Sequence, residues 1–388
     1  MDLDGVLLRA VSMGASDVHL KLGQPPVVRR DGDLERLADV APLTEDDLSQ
    51  VLFDITARQT TKRVEFEHTG DLDLAYMLGN TARFRVSGFR QRGATSFALR
   101  LIPDVVTSFD DLRLPGGVRR LAEERQGIVL VTGATGSGKT TTMAAIVDHV
   151  NRTRRHHIVT IEDPVEILHA DRQCIVSQRD VGDDTSSYLE ALRRALRQDP
   201  DVLVIGELRD AEAAQTALNA AESGHFVLTT LHTLDAEESV KRMIDFFPAE
   251  KQPLVRNILA AVLRGIVSQR LLPRVNGGRI VAVEVMARND RIAEAIREGR
   301  PEEIPSAIRE GAFFEMQTLN QALIELVLSG EVDREVAASA APFRHDFMIA
   351  LRQATQRRAA SQENGAAGIA VQPRVEPASL GVRRPAAG

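Results

Sequence analysis

Four short runs of consecutive apolar residues lie in the middle of the chain, and each is followed by a segment with helical spacing. The runs occupy 128–131, 158–161, 202–205 and 226–231. Uninterrupted apolar strands that alternate with helices predict a parallel β-sheet covered on both faces. After the last run, the pattern predicts a helical region that extends to about residue 353.

The beginning of the chain has a different pattern, with a helix followed by short strands. Apolar positions from Leu3 to Met13 recur at helical spacing. Short strands are predicted at 18–20, 27–29 and 71–75, and a hairpin-like run is predicted around 83–86. This mixture predicts a small α/β domain.

The two patterns together predict an α/β protein with two domains. The first domain is assigned to 1–102, and a segment with prolines and glycines at 103–119 is interpreted as a linker. The second domain, with its C-terminal helices, is assigned to 120–353. The remaining segment, 354–388, is rich in Ala, Gly and Pro and is predicted to be a disordered tail.

Composition excludes several classes of protein. The 388 residues carry a net charge of −7, which argues against a dedicated nucleic-acid binder. One cysteine, Cys174, excludes an intramolecular disulfide and a zinc site with several cysteines. No apolar run approaches the length of a membrane span, and the N-terminus lacks a signal peptide pattern. A cytoplasmic protein is therefore expected.

A glycine-rich motif follows the first apolar run and opens a predicted helix. The segment 133–140 fits G-x-x-x-x-G-K-[ST], in which backbone amides cradle phosphate and the lysine reaches the β- and γ-phosphates. The motif predicts binding of ATP and Mg²⁺, with Thr140 as a metal ligand. The residues predicted to bind the nucleotide are Gly133, Ala134, Thr135, Gly136, Ser137, Gly138, Lys139, Thr140 and Thr141.

Acidic residues follow two of the other apolar runs. Glu207 comes after the run at 202–205, and Glu162, Asp163 and Glu166 come after the run at 158–161. The carboxyl ends of parallel strands are where such sheets place ligand chemistry, so these acids are candidates for the Mg²⁺ site and for the base that activates water. Glu207, Glu162 and Asp163 are the predicted metal ligands besides Thr140. A helix-capping or solvated acid is the alternative for any single residue.

Two histidines bracket the run at 226–231. His225 precedes it and His232 follows it, at the edge where the γ-phosphate is expected. A single histidine is more often structural than catalytic, but a pair at the ends of one core strand favours function. A zinc site is disfavoured because the spacing offers no further ligands.

Arginines are concentrated between 81 and 100, a stretch that contains five of them and no acid. Alternation places Arg83 and Arg85 on one face of a strand. An unpaired cluster of this kind predicts contact with an anion, such as nucleotide bound by the next subunit of a ring. A solvated basic face is the alternative. Three further arginines flank the strand predicted at 202–205 and are also candidates: Arg193, Arg197 and Arg209.

Together these motifs resemble the secretion/pilus ATPase superfamily, and within it the PilT-type retraction ATPases of type IV pili. The resemblance extends from about residue 3 to about residue 353. Besides the phosphate loop, the matching segments are the N-terminal signature at 14–20, the Asp box at 161–166, the Walker B segment at 199–210 and the His box at 220–233.

The resemblance implies a PAS-like N-terminal α/β domain, a RecA-like P-loop ATPase domain with a helical C-terminal region, and a homohexameric ring. It implies that Glu166 is the catalytic base and that Glu207 lies near Mg²⁺. The remaining residues that it places at the nucleotide are His225, His232, Arg85, Arg100, Arg193, Arg197 and Arg209.

Within the superfamily, the chain resembles the retraction type. It lacks the long additional N-terminal domain and the four-cysteine zinc element of assembly ATPases, and the segment 316–323 is similar to the retraction type. The resemblance implies an ATPase that powers pilus retraction and twitching motility. It would dock onto the platform protein of the inner membrane from the cytoplasmic side, without inserting into the membrane.

Two departures leave other members of the superfamily open. The segment 291–298 keeps only the second half of the retraction signature helix, and the chain continues past the usual end. An accessory, PilU-like paralogue that assists a principal motor is therefore an alternative, as is an extension or secretion ATPase. A nucleic-acid translocase and a ring subunit that binds nucleotide without hydrolysis are less favoured, since the chain is acidic and every expected acid and arginine is present.

Overall fold

Two β-sheets, each with its own helices, organise the chain. The computed structural model describes residues 1–30, 32–57, 59–79, 81–102, 106–182 and 184–367. The predicted α/β class is confirmed.

The first sheet contains six strands in the order β3-β2-β1-β6-β5-β4, and every neighbouring pair is antiparallel. Alternation along the strands directs one set of side chains, including Leu72 and Leu74, into a core beneath helices. The strands are β1 Asp17–Lys21, β2 Val27–Arg30, β3 Asp33–Arg36, β4 Asp71–Leu78, β5 Ala82–Gln91 and β6 Ala94–Ile102. The helices are α1 Leu3–Ser12, α2 Glu45–Ile55 and α3 Thr60–Thr69.

The second sheet contains seven strands in the order β13-β12-β7-β11-β10-β8-β9. All pairs are parallel except β12 with β13. The four predicted apolar runs are four of its central strands, which confirms the predicted parallel sheet. The strands are β7 Gly127–Thr132, β8 His157–Glu162, β9 Ile175–Asp180, β10 Val202–Ile205, β11 Phe226–Leu231, β12 Leu263–Pro273 and β13 Arg279–Ala287.

Helices cover both faces of the second sheet. On β7, Ile128 and Leu130 belong to one hydrophobic cluster, and Val129 and Val131 belong to another on the opposite face. A further cluster packs the last helices against the β12–β13 hairpin. The helices are α4 Gly116–Ala122, α5 Lys139–Thr153, α6 Tyr188–Ala195, α7 Ala211–Glu222, α8 Ala236–Asp245, α9 Gln252–Val262, α10 Asp290–Arg297, α11 Ile304–Arg309, α12 Leu319–Leu328, α13 Arg334–Ala340 and α14 Arg344–Ala367, with 3-10 helices at Pro301–Glu303 and Ala312–Phe314.

The structure corrects three expectations about elements. The region expected to be helical after β11 contains β12 and β13, which extend the sheet by a hairpin. Helix α4 begins at Gly116, inside the segment interpreted as a linker, because Val118 and Leu121 pack against the sheet. Helix α14 continues to Ala367, so the part of the expected disordered tail up to that residue is helical, and the rest lies outside the described residues. The domain boundaries themselves stay a prediction.

Among the described helices, none combines the length and apolar character that a bilayer crossing requires.

Candidate active site

The glycine-rich loop lies between β7 and α5 and is held in a shape that requires glycine. Gly133, Gly136 and Gly138 all have positive φ, at 145°, 78° and 91°. A Cβ atom on Gly133 would lie 2.5 Å from the carbonyl oxygen of Gln269 and from Oγ of Ser137. The Gln269 side chain also donates to the carbonyl oxygen of Ser137 at 2.7 Å. Strand β12 therefore supports the loop from below.

Lys139 is the first residue of α5 and folds over the loop that precedes it. Its Nζ atom donates to the carbonyl oxygens of Gly133 at 2.8 Å and Ala134 at 3.1 Å. Partial burial lowers the pKa of the Lys139 ammonium, and the negative charges of Glu207 and Glu166 offset part of this effect. The ammonium thus lies at the N-terminus of α5, where backbone amides can bind phosphate, in a cavity that Glu207 and Glu166 also line.

Glu207, just beyond β10, lies in a small network of charged side chains. Arg209 donates to one carboxylate oxygen, and Nε2 of His232 lies 3.1 Å from the other. Arg209 also lies 3.3 Å from a carboxylate oxygen of Asp163. Burial raises the pKa of Glu207, but the hydrogen bonds from Arg209 and His232 outweigh it, so the net pKa lies below the usual value. Glu207 is therefore ionised at neutral pH.

Glu162, at the end of β8, points inward. It accepts hydrogen bonds from Thr160 Oγ1 at 2.7 Å and from the Gln178 amide at 3.2 Å. Burial raises the pKa of Glu162, and these hydrogen bonds only partly offset it. Glu166, four residues later, is exposed. The acids predicted from one sequence cluster therefore occupy different environments: Glu162 is turned inward, whereas Asp163 and Glu166 present exposed carboxylates to the cavity beside the loop.

A cavity of about 590 Å³ collects the predicted residues around the loop. An adjoining cavity of about 650 Å³ shares Thr140, Thr141 and Glu166 with it and extends to Arg85 on the first sheet. The predicted residues that line one or both cavities are Thr135, Gly136, Gly138, Lys139, Thr140, Thr141, Glu162, Asp163, Glu166, Glu207, Arg209, His232, Arg85 and Arg100.

The arginines of the first sheet are not an unpaired cluster, contrary to the expectation from sequence. Arg83 forms a buried ion pair with Asp180 of the second sheet. Arg100 donates from Nε to Asp17 at 2.8 Å, because strand pairing places these two residues opposite each other. The partners are distant in sequence, which is why the local pattern concealed them. Arg85 and Arg83 do share one face of β5, as predicted.

Arg85 and Arg100 line cavities that include the phosphate loop of the same chain. A neighbouring subunit is therefore not required to place these two arginines beside a phosphate loop. The fold of one chain already places the first sheet opposite the loop.

Of the predicted residues outside the glycine-rich loop, three lie away from these cavities. His225 precedes β11, at the opposite edge of the sheet from His232, and its Nδ1 lies 3.0 Å from both the Ala220 carbonyl oxygen and Ser223 Oγ. Arg193 pairs with Glu212 on the surface, and Arg197 is exposed after α6. A parallel strand separates its two ends by its whole length, so a pair of histidines that bracket one strand cannot meet in one chain.

Sequence reasoning missed Arg279, Tyr188 and Gln269. Arg279, the first residue of β13, lines both cavities. Tyr188 lies under Arg209, with the guanidinium carbon 5.1 Å from the ring centroid. Gln269 supports the loop. No local motif marks these residues. Gln269 and Arg279 lie on β12 and β13, which were expected to be helical, and Tyr188 is the first residue of α6.

The donor set fits Mg²⁺ bound together with phosphates. Across the described ranges, no group of three or more His, Cys, Asp or Glu side chains is arranged to hold a metal ion by itself. Mg²⁺ is commonly held by one or two oxygen ligands from the protein together with phosphate oxygens and water. Thr140 and Glu207 offer such oxygens beside Lys139, whereas Glu162 is turned inward.

Comparison with known proteins places the chain in a family. The model of the family described as "Type II/IV secretion system protein" matches residues 2–341. The chain belongs to this family. It is 41% identical to the type IV pilus retraction ATPase PilT of Pseudomonas aeruginosa over 89% of its length and all of that relative. It is 35% identical to the type IV pilus ATPase PilU of the same organism, over 91% of this chain and 92% of PilU.

The likeness extends to structure. The crystal structure of the pilus retraction motor PilT with bound ADP matches with a TM-score of 0.82 and 41% identity, over 88% of this chain and 97% of that chain. The predicted resemblance to PilT-like ATPases is confirmed, as are an N-terminal domain and a RecA-like ATPase domain. This member of the secretion family is an ATP-hydrolysing, nucleotide-binding enzyme.

Proposed function

We propose that this chain is a hexameric, Mg²⁺-dependent ATPase that powers retraction of a type IV pilus. The observation that carries the proposal is the cavity in which Lys139, Glu166, Glu207 and Arg100 converge, in a chain similar to PilT over nearly its whole length. The same cavity contains a phosphate cradle, a cation, an exposed carboxylate and an arginine from the first sheet. This is the set of groups that phosphoryl transfer to water requires.

Each residue has a distinct part in the proposed hydrolysis. The amides of the loop and Lys139 bind the β- and γ-phosphates. Glu166 accepts a proton from water while the water oxygen attacks the γ-phosphorus. The bond between the γ-phosphorus and the bridging oxygen breaks, and that oxygen leaves with ADP. Arg85, Arg100 and Arg209 stabilise the negative charge that develops on phosphate oxygens. Thr140 and Glu207 would hold Mg²⁺, which neutralises phosphate charge when bound, and Asp163 and Glu162 line the same cavity.

His232 has a supporting part in this scheme. Its Nε2 atom lies 3.1 Å from a carboxylate oxygen of Glu207, and both residues line the cavity. A change at Glu207 when a γ-phosphate is bound would therefore alter the hydrogen bond with His232. The catalytic parts predicted for His225, Arg193 and Arg197 would require a second subunit, because none of them lines the cavities of one chain.

The proposed partners are further copies of the chain and a platform protein of the inner membrane. The likeness to PilT supports an oligomer, and we propose a homohexamer that works in the cytoplasm at the base of the pilus. A paralogous pilus ATPase is a further candidate partner, since the chain is also similar to PilU.

Deletion of the gene from its own organism tests the direction of the motor. We expect cells that carry more surface pili than wild type and no longer move by twitching, because extension continues without retraction. Microscopy of surface pili and a twitching assay measure this, with the gene restored in trans as the control. A strain that has lost its pili would identify an extension ATPase and overturn the retraction proposal.

Mixing two inactive variants tests whether Arg85 serves its own chain. We expect Arg85→Ala and Glu166→Gln each to lose most ATPase activity, and mixed oligomers to show only the average of the two rates. In every mixed oligomer, each chain then still lacks one necessary group at its own site. Steady-state ATP hydrolysis after subunit exchange, with sedimentation to confirm oligomer size, measures this. Activity well above the average would show that the arginine reaches a neighbouring subunit.

A further inference from the structure

The loop that carries Glu166 is held by side chains of the neighbouring edge strand. Residues 163–174 join β8 to β9 and contain no regular helix or strand. Gln178 on β9 donates to the carbonyl oxygen of Ile167 at 2.9 Å and accepts from the amide of His169 at 2.7 Å. Asp180, two residues further along the same face of β9, accepts from the amide of Val165 at 2.6 Å. The backbone is thus fixed on both sides of Glu166.

Asp180 also reaches the first sheet. Its Oδ1 accepts from Val165, and its Oδ2 pairs with the guanidinium of Arg83 on β5. Both side chains are almost fully buried, at 10% exposure for Arg83 and 5% for Asp180. One carboxylate therefore connects the N-terminal sheet to the residue that directly precedes Glu166.

A contribution to folding stability is not a sufficient reason for a buried ion pair between Arg83 and Asp180. Burying two charges costs desolvation that their attraction only partly returns, so a buried ion pair is weak evidence for stabilisation. The two charged groups must nevertheless stay in contact, because a buried charge without its partner strongly destabilises the fold. A pair with these properties is suited to fixing the relative position of two sheets, and here one of its members also holds the loop that carries Glu166.

We propose that Arg83 and Asp180 are positioning residues that align Glu166 for catalysis when the N-terminal sheet lies against the second sheet as in this structure. This inference rests on the proposed role of Glu166 as the base. Separation of the sheets breaks the ion pair, so the Asp180 carboxylate that holds Val165 is no longer restrained by Arg83. Hydrolysis is thereby coupled to the arrangement of the two sheets, without any change at the phosphate loop.

Three variants test the proposal: Asp180→Asn, Arg83→Met and the double variant. Asparagine keeps an oxygen for the Val165 amide but cannot pair with Arg83. We expect kcat to fall about tenfold in each, since small displacements of a catalytic group are costly. KM for ATP and the affinity for a fluorescent ADP analogue should stay within about twofold, because the loop is untouched. The two substitutions should be non-additive, since either one removes the same contact.

The double variant separates positioning from folding. It removes both buried charges together, so it avoids the uncompensated charge that destabilises each single variant. If the pair only stabilises the fold, the double variant recovers both thermal stability and wild-type kcat, which overturns the proposal. If the pair positions Glu166, the double variant folds stably but stays slow. Arg83→Lys, which keeps the charge, should recover part of kcat.

Two controls complete the experiment. Arg30→Met removes an exposed ion pair with Glu35 in the same sheet and should leave kcat unchanged. Glu166→Gln is measured in parallel. Hydrolysis that survives Glu166→Gln overturns the base assignment and this inference with it. Loss of hydrolysis in Glu166→Gln, together with a wild-type kcat in the double variant, overturns only the positioning role.

Discussion

Replacement of Glu166 by glutamine is expected to reduce kcat for ATP hydrolysis by about 10²–10⁴-fold, which is the usual contribution of a general base. The carboxylate of Glu166 is exposed to the cavity that contains Thr140 and Thr141. An amide of the same shape cannot take a proton from water. Since the phosphate loop does not depend on Glu166, nucleotide affinity should change little.

Single-turnover hydrolysis and binding of a fluorescent ADP analogue measure these two quantities separately. Glu190→Gln is the matched control, because Glu190 pairs with Arg194 on the surface of α6 and lines neither cavity. If Glu166→Gln hydrolyses ATP at the wild-type rate while Glu207→Gln does not, the base is Glu207 and the assignment made here is wrong.

Replacement of Lys139 by alanine is expected to weaken nucleotide binding by about 100-fold or more. Hydrogen bonds to charged groups contribute about 1.5–3 kcal/mol each. In the variant, the phosphates of the nucleotide lose their hydrogen bonds from the Lys139 ammonium and their attraction to its positive charge. The substitution also removes the two bonds from Nζ to the carbonyl oxygens of Gly133 and Ala134. The substitution therefore removes both a phosphate contact and two hydrogen bonds that hold the loop. We expect hydrolysis at a fixed ATP concentration to become undetectable.

Calorimetric titration with ADP measures the affinity, and circular dichroism confirms that the variant is folded. Lys62→Ala is the control, since Lys62 lies on α3 and pairs with Glu65 away from the cavities. Unchanged affinity for ADP in Lys139→Ala would mean that the glycine-rich loop is not the phosphate site.

The central strands and the phosphate loop could be predicted because their signals are local. Apolar runs such as 128–131 are buried on both faces, and the glycines of the loop occupy backbone conformations that other residues avoid. The position of Glu207 and His232 beside the loop could be predicted because parallel strands bring their carboxyl ends to one edge. Each of these inferences needs only the residues of one strand and the loop after it.

The β12–β13 hairpin could not be found in this way. Strand β12 carries Arg, Ser and Gln among apolar residues, and Ser268 and Gln269 are buried in the fold, where β12 pairs with β7. Because the hairpin was interpreted as helix, Gln269 and Arg279 were missed. Tertiary contact determined the structure of this segment more than local pattern did.

The partners of the arginines were hidden for a similar reason. Asp17 and Arg100 lie opposite each other only once β1 pairs with β6, and Asp180 meets Arg83 only across the two sheets. The sequence shows a stretch without acids, whereas the fold supplies acids from elsewhere. Sequence can identify which side chains are charged, but not which of them remain available.

For the proposed role of Arg100 at the nucleotide, its contact with Asp17 has a consequence for the speed of nucleotide capture. The hydrogen bond to Asp17 uses Nε, the inner nitrogen of the guanidinium, while three quarters of the side chain stays exposed. The planar group is therefore already oriented, and its outer edge can meet an incoming phosphate without first breaking the bond to Asp17. An arginine restrained in this way loses little conformational entropy when an anion arrives. In the proposed mechanism, Asp17 therefore holds Arg100 in place rather than competing with phosphate for it, and the N-terminal signature of the sequence contributes to the proposed nucleotide site.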